Sequence, residues 1–280
     1  MQILSVFINT KNTMKHILVT GSTDGIGKLT ALKLAKEGNT VYIHGRSEGK
    51  VNNTISEIKD ASKNDNVKGF VADFSDLNAV KQMAEQIKNE IPSLDVLINN
   101  AGVLKTPSVK TKDGLDIRMA VNYLAPYLLT ENIIPVLEKG SATRIVNLSS
   151  AAQSSVKKGI LTGDVSISAS DAYAQSKLAL TMWSFYFAKQ HPNITTIAVN
   201  PGSLLNTKMA KEAYGQHWSP AEKGVDIIYD LATSDAYKYA TGKYFDNDKG
   251  DTIGRFSQAH PDAYDPDKIE ELLRITNSLF

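Results

Sequence analysis

From Met14 onward, short runs of β-branched and apolar residues alternate with longer segments in which apolar positions return every three or four residues. The short runs His16–Thr20, Thr40–His44, Val67–Val71, Leu94–Ile98, Arg144–Leu148 and Ile194–Asn200 predict strands. Between them, Ile26–Glu37, Asn52–Ser62, Leu77–Glu90, Gly114–Leu137 and Ala172–Gln190 predict helices. Past Pro201 the pattern loosens, then a helix over Pro220–Ala232 leads to a further strand at Gly242–Phe245, and Asp265–Phe280 has the spacing of an amphipathic helix. Strand–helix alternation with near-continuously apolar strands implies a parallel sheet covered by helices on both faces, since such a sheet has no polar side. The expectation is one doubly wound α/β domain of about seven strands over 14–280, after a loose extension over 1–13.

A chain of 280 residues can bury a sizeable core in one such domain. Its formal net charge of +1, with no block of Lys or Arg, gives no general attraction to nucleic acid or to an anionic membrane. The absence of cysteine excludes disulfides, thiolate catalysis and thiolate metal sites. Histidines 16, 44, 191, 217 and 260 have no ligand spacing, so no metal is expected. The apolar patch Ile3–Ile8 lacks a basic start and a small-residue cleavage site, and no run approaches twenty apolar residues; a soluble, cytoplasmic protein without a membrane span is the expectation.

The candidate chemistry lies at the ends of the predicted strands. Thr20-Gly-Ser-Thr-Asp-Gly-Ile-Gly follows the first strand and opens a helix, so Gly21, Gly25 and Gly27, with Ser22, Thr23 and Ile26 between them, can bring backbone N–H groups to a diphosphate. The spacing is G-x-x-x-G-x-G, not the G-x-G-x-x-G fingerprint. Asp24 within it is unfavourable near phosphates unless it points away. After the second strand, Arg46 and Ser47 stand where an NAD site usually has a carboxylate, which favours NADP(H) over NAD(H). Asp73, beside Phe74, suits an adenine amino group or the cap of the helix that follows. Asn100, Ala101 and Gly102 follow the fourth strand, where small residues let a flat ligand lie close. Asn122 interrupts an apolar helical pattern, which implies an assigned partner. Ser149 and Ser150 end the fifth strand, where ligands bind in open parallel sheets; alternation lets only one of them face the site. Tyr173 and Lys177, four apart on a helix, share a face, and an ammonium there favours the phenolate.

With these motifs in this order, the sequence resembles the short-chain dehydrogenase/reductase family, over about 14–207 and through Phe245. The resemblance implies a Rossmann-type fold, Tyr173 as general acid/base, and Lys177 binding the nicotinamide ribose and lowering the tyrosine pKa. It further implies Ser150, the second serine of its pair, on the reacting oxygen, and Asn122 holding a water that links the lysine to solvent. The glycine turn, Arg46, Ser47, Asp73, Phe74, Asn100–Gly102, Tyr173, Lys177, Pro201, Gly202 and Thr207 would line the cofactor. The 23-position gap from Ser150 to Tyr173, with Thr111–Asp116, Val121–Thr130 and Ser176–Ala179, is similar to the retinol-dehydrogenase and protochlorophyllide-reductase-like branch, which generally favours NADP. Two departures stand out: Ala125 where relatives usually have glycine, and one extra residue before Thr207.

Residues 203–219, carrying Met209, Tyr214, His217 and Trp218, are the expected substrate loop, with the insert 151–170 facing the same side and 246–280 as a C-terminal tail. The helix after Tyr173 is apolar nearly all round and must be covered by the chain itself or by a partner, which suggests a homodimer or homotetramer. The expected function is hydride transfer between NADP(H) and a small-molecule carbonyl or alcohol. The alternative is a catalytically silent NADP-binding regulator or scaffold, which would need the glycine turn but not the Asn, Ser, Tyr and Lys set.

Overall fold

A computed structural model describes residues 14–250 and 253–280; the extension expected over 1–13 lies outside the described residues. The strands are β1 (His16–Val19), β2 (Thr40–Gly45), β3 (Val67–Val71), β4 (Val96–Asn99), β5 (Arg144–Leu148), β6 (Thr195–Asn200), β7 (Lys243–Asp246) and β8 (Arg255–Ser257). They form one sheet in the order β3-β2-β1-β4-β5-β6-β7-β8, parallel as far as β7. β8 joins antiparallel with Phe256 opposite Phe245, one strand more than the seven expected. Its three residues are too few for a periodic signal; an edge-on contact of the two rings at 5.2 Å helps to hold it.

Two cores account for the apolar strands. Ile17, Val19, Ile43, Val96 and Ile98 pack toward α1 (Gly25–Lys36), α2 (Glu48–Ser62) and α9 (Ala221–Thr233). Leu18, Leu97 and Ile145 point the other way, toward α3 (Leu77–Glu90), α5 (Ala125–Leu137) and α7 (Ala169–Gln190). Successive side chains alternate between these faces, and both are covered, so neither face needs polar residues.

Helix starts follow side-chain caps. Asp76 accepts from Asn78 N at 3.1 Å and starts α3, and Ser168 accepts from Asp171 N at 3.1 Å and starts α7 three residues before the expected Ala172. The helix expected over Gly114–Leu137 is broken. Gly114 has φ +82°, Asp116 caps a short α4 (Ile117–Met119), and a π turn at Ala120–Leu124 precedes α5. Such turns insert an extra residue in a helix and recur at functional sites.

The outer face of α7 is covered from within the chain. Ile269, Leu272, Leu273 and Ile275 of α10 (Pro266–Asn277) are buried in the same core as α7, each contributing ~1.5–3 kcal/mol. Tyr123 Oη and Thr276 Oγ1 are 2.8 Å apart, Tyr127 donates to Asn277 at 2.5 Å, and Phe185 meets Tyr264 at 5.3 Å. The chain's own C-terminal segment thus supplies the burial for which a second copy was one expected source. No helix among the described residues is long and apolar enough to cross a membrane. The strand order reverses between β1 and β4, so the turns after β1, β4 and β5 open onto one crevice at the carboxyl ends of the strands.

Candidate active site

The glycine turn is built by close approach. Gly21 has φ +63°, and a Cβ there would stand 2.7 Å from Ala101 Cα. A Cβ on Gly27 would run into the Asn100 amide and reach 2.6 Å from Gly21 O. Asn100 Nδ2 donates to Thr20 O (2.7 Å) and Gly21 O (2.9 Å), and Thr20 Oγ1 accepts from the amides of Asn100 and Ala101, each at 3.0 Å. The turns after β1 and β4 are therefore one unit. Two residues expected to line the cofactor have side chains committed to this scaffold, which leaves their backbone for a ligand. Asn100 ties the two turns together, and the buried Ser22 hydroxyl donates to Val19 O while accepting from His44 N. Asp24 is exposed and accepts from Gly25 N at the start of α1. Thr23 and Ile26 are half-buried on the turn.

At the end of β2, Arg46 is exposed and forms no ion pair among the described residues. Ser47 heads α2 without a side-chain cap bond, so neither its hydroxyl nor the neighbouring guanidinium is claimed by a partner among the described residues. Asp73 is exposed and accepts from Ser75 N and Oγ at 2.9 and 2.8 Å; the cap of α3 belongs to Asp76, not to Asp73. Phe74 is buried, its ring stacked on His44 with centroids 4.1 Å apart, so it backs the cleft rather than lining it.

Ser150, Tyr173 and Lys177 meet beyond β5. Ser149 Oγ points into the sheet–helix interface, 2.7 Å from Thr181 Oγ1 and 3.2 Å from Lys177 O. Ser150 is half-buried on the opposite side, and its carbonyl accepts from Tyr244 Oη and Gln153 Nε2, both at 2.9 Å. Lys177 Nζ donates to Leu148 O at 2.6 Å and lies 5.5 Å from the centre of the Tyr173 ring. Burial pushes the Tyr173 phenol up to about 12, with a hydrogen bond from Ser150 opposing the rise, and burial pushes Lys177 down to about 8. The direction is opposite to the lowered phenol expected from the spacing: in the protein alone, burial raises it.

Asn122 sits in the π turn with its side chain fully engaged. Its Oδ1 accepts from Val103 N (2.8 Å), and Nδ2 donates to Val103 O (3.0 Å) and to Ser176 Oγ (2.9 Å), which itself donates to Tyr173 O at 2.7 Å. Both amide hydrogens are used, so a water held by this side chain would have to donate to Oδ1; the side chain bolts the Gly102–Val103 backbone to α7. A Cβ on Gly102 would lie 3.4 Å from Asn122 Oδ1 and 3.5 Å from Lys177 Nζ, which puts this backbone beside both.

After β6, Asn200 holds the turn. Its Nδ2 donates to Asp246 and Asp248, each at 2.8 Å, and its Oδ1 accepts from Gly202 N at 3.3 Å. Pro201 and Gly202 are half-buried, Gly202 with φ +123°. The Thr207 hydroxyl caps α8 (Lys208–Tyr214) by accepting from Ala210 N at 3.2 Å, which leaves its hydrogen free to donate. In the expected substrate loop Met209 is half-buried, while Tyr214, His217 and Trp218 are exposed, Trp218 by 70%. The insert 151–170 carries α6 (Lys158–Leu161) and is latched to the loop before α4 by Lys110 Nζ donating to Gly163 O at 2.7 Å.

Four contributors were missed in the sequence: His44, Gln153, Ser176 and Tyr244. His44 had a signal, a polar ring inside a strand that is otherwise apolar and must be satisfied where it is buried. Gln153, Ser176 and Tyr244 act through contacts between distant segments, which no local spacing reveals.

A sequence model of the short chain dehydrogenase family matches residues 15–218. Retinol dehydrogenase 12 of Bos taurus is 34% identical over 248 residues, 84% of this chain and 78% of that protein. Polyprenol dehydrogenase of Homo sapiens is 35% identical over 207 residues, 70% of this chain and 62% of that protein. A short chain dehydrogenase of Escherichia coli CFT073, solved in complex with NADPH, has a TM-score of 0.69 at 27% identity, covering 83% of this chain and 95% of its own.

Proposed function

The chain belongs to the short-chain dehydrogenase/reductase family, in its retinol-dehydrogenase-like branch, and we propose that it is an NADP-dependent oxidoreductase that interconverts a carbonyl and an alcohol. The observation that carries this reading is the convergence of Ser150, Tyr173 and Lys177 beyond β5, beside the Gly102 backbone. The residues present fit a dinucleotide: the glycine turn is open at Gly25, where nothing lies within 4 Å of a Cβ position, and the rim after β2 offers Arg46 and Ser47 without an opposing partner among the described residues. A guanidinium suits a 2′-phosphate, and the NADPH-bound relative supports the same preference.

Bound there, NADP(H) supplies or accepts the hydride. Tyr173, kept as a phenol, holds the proton that a reduced carbonyl oxygen has to receive, and Ser150 orients that oxygen by a hydrogen bond. Lys177, still largely protonated at neutral pH, adds positive charge behind the phenol. The segments 203–219 and 151–170 carry the exposed side chains Tyr214, Trp218 and Val165, which would suit an apolar substrate. The names of the relatives make long apolar alcohols and their aldehydes the first compounds to test.

The test is NADPH consumption across a panel of aldehydes, ketones and quinones that includes long-chain polyene and prenyl aldehydes. Turnover with NADPH over NADH supports the proposal. Tight NADPH binding with no turnover on any carbonyl, and no oxidation of the matching alcohols with NADP, replaces it with the silent binding protein.

A further inference from the structure

His44 is used by nothing in the chemistry above, yet it is 3% exposed and bonded on every side. Its Nδ1 lies 3.0 Å from Gly21 N and its Nε2 3.0 Å from Ala72 O. Its main chain is tied to the same turn: His44 O accepts from Ser22 N, and His44 N donates to Ser22 Oγ, both at 2.9 Å. The ring stacks on Phe74, in the middle of the segment between β3 and α3.

These partners determine the tautomer. An amide N–H can only donate and a carbonyl can only accept, so Nδ1 carries a lone pair and Nε2 carries the proton. Gly21 is then held from two strands at once, its N–H by His44 at the end of β2 and its carbonyl by Asn100 after β4. We infer that His44 is a positioning residue for the dinucleotide: as neutral imidazole it presets the glycine turn, and through Ala72 and Phe74 it fixes that turn relative to the rim after β3. This rests on the reading of the cleft as a dinucleotide site. A preset turn lets the diphosphate bind without ordering the loop first, which raises affinity.

The side chain that replaces His44 decides the outcome. In His44→Asn, Oδ1 occupies the place of Nδ1 and can still accept from Gly21 N–H, but the Ala72 bond is lost; His44→Leu loses both. NADPH dissociation constants, read by quenching of protein fluorescence, are expected to rise about tenfold or more in His44→Leu and clearly less in His44→Asn, as for loss of one buried hydrogen bond. The deficit is carried by Kd and KM for NADPH more than by kcat. In the protein without cofactor, nitrogen NMR is expected to find the proton on Nε2 at pH 7, and the Gly21 amide should exchange faster in His44→Leu than in His44→Asn.

His44→Leu binding NADPH as tightly as the native protein overturns the inference, as does a proton on Nδ1. Equal losses in both variants also overturn it, because they point to general destabilisation. If His44→Leu does not fold, the tautomer and the His44→Asn exchange rate still decide. If the native protein binds neither NADPH nor NADH, the functional reading fails, while the tautomer and exchange arms still judge whether His44 holds Gly21.

Discussion

Replacing Gly27 with alanine sets two effects of opposite sign against each other. Gly27 lies in α1, outside the left-handed region of backbone space, so alanine is conformationally allowed there. Helix propensity alone would make the variant more stable by about 1 kcal/mol. Packing opposes this: the new methyl would run into the Asn100 amide and come within 2.6 Å of Gly21 O, a backbone atom that cannot swing aside. Asn100 Nδ2 would have to give up its bonds to Thr20 O and Gly21 O. Overpacking costs about 1–3 kcal/mol, and disrupting two partly buried hydrogen bonds adds about 1–2 kcal/mol. The net is a loss of about 1–4 kcal/mol, or roughly 2–16 °C in Tm for a domain of this size. Urea and thermal unfolding measure it, with NADPH binding followed in parallel. Gly25→Ala is the control, since nothing lies within 4 Å of its Cβ position and only its φ of +56° opposes the change. A Gly27→Ala variant as stable as the native protein or more so would refute the packing argument.

Removing the Arg46 guanidinium (Arg46→Ala) should weaken NADPH binding roughly tenfold to a hundredfold while leaving NADH nearly unchanged; parallel titrations check this, and equal losses for both would reject the 2′-phosphate role. Thr276→Val strands the buried Tyr123 hydroxyl and should cost about 1–2 kcal/mol in urea unfolding, most of it recovered when Tyr123→Phe is added; two additive losses would show that the contact does not fasten α10. Burial lowers His44 from the usual histidine value to about 4, with the Ala72 carbonyl and Asp73 opposing. A lowered folded-state pKa means that its share of stability is complete above pH 6.5 and is lost as pH falls toward 4. The native protein should therefore lose about 3 kcal/mol more across that interval than His44→Asn does, and matched pH slopes in urea unfolding would contradict this.

The sheet was legible because both of its faces are covered, which leaves apolar strands that stand out against helical spacing. β8 and the π turn were not. Arg255–Ser257 is too short to carry a period, and the break near Asn122 is set by bonds to Val103 and Ser176, nineteen and 54 positions away in the chain. In the site, Tyr173, Lys177 and Ser150 could be read from spacing and from their place at strand and helix ends. The roles of Ser22, Asn100, Phe74 and Asn122 could not, because a polar or aromatic residue in a motif looks the same whether it faces a ligand or the scaffold. Desolvation was equally invisible: the Tyr173–Lys177 spacing suggested a lowered phenol, and only the packing around it shows the opposite direction.

In the proposed reaction Tyr173 moves the proton of a carbonyl–alcohol interconversion. Tyr173→Phe removes one oxygen from a half-buried side chain and leaves the glycine turn, Arg46 and Lys177 in place. With a carbonyl substrate identified from the panel, the variant is predicted to consume NADPH at least about a hundredfold more slowly than the native protein, in keeping with loss of a general acid. Its NADPH dissociation constant should stay within about twofold of native, since the lost hydroxyl serves chemistry and not affinity. Turnover at a native rate by Tyr173→Phe would contradict the claim.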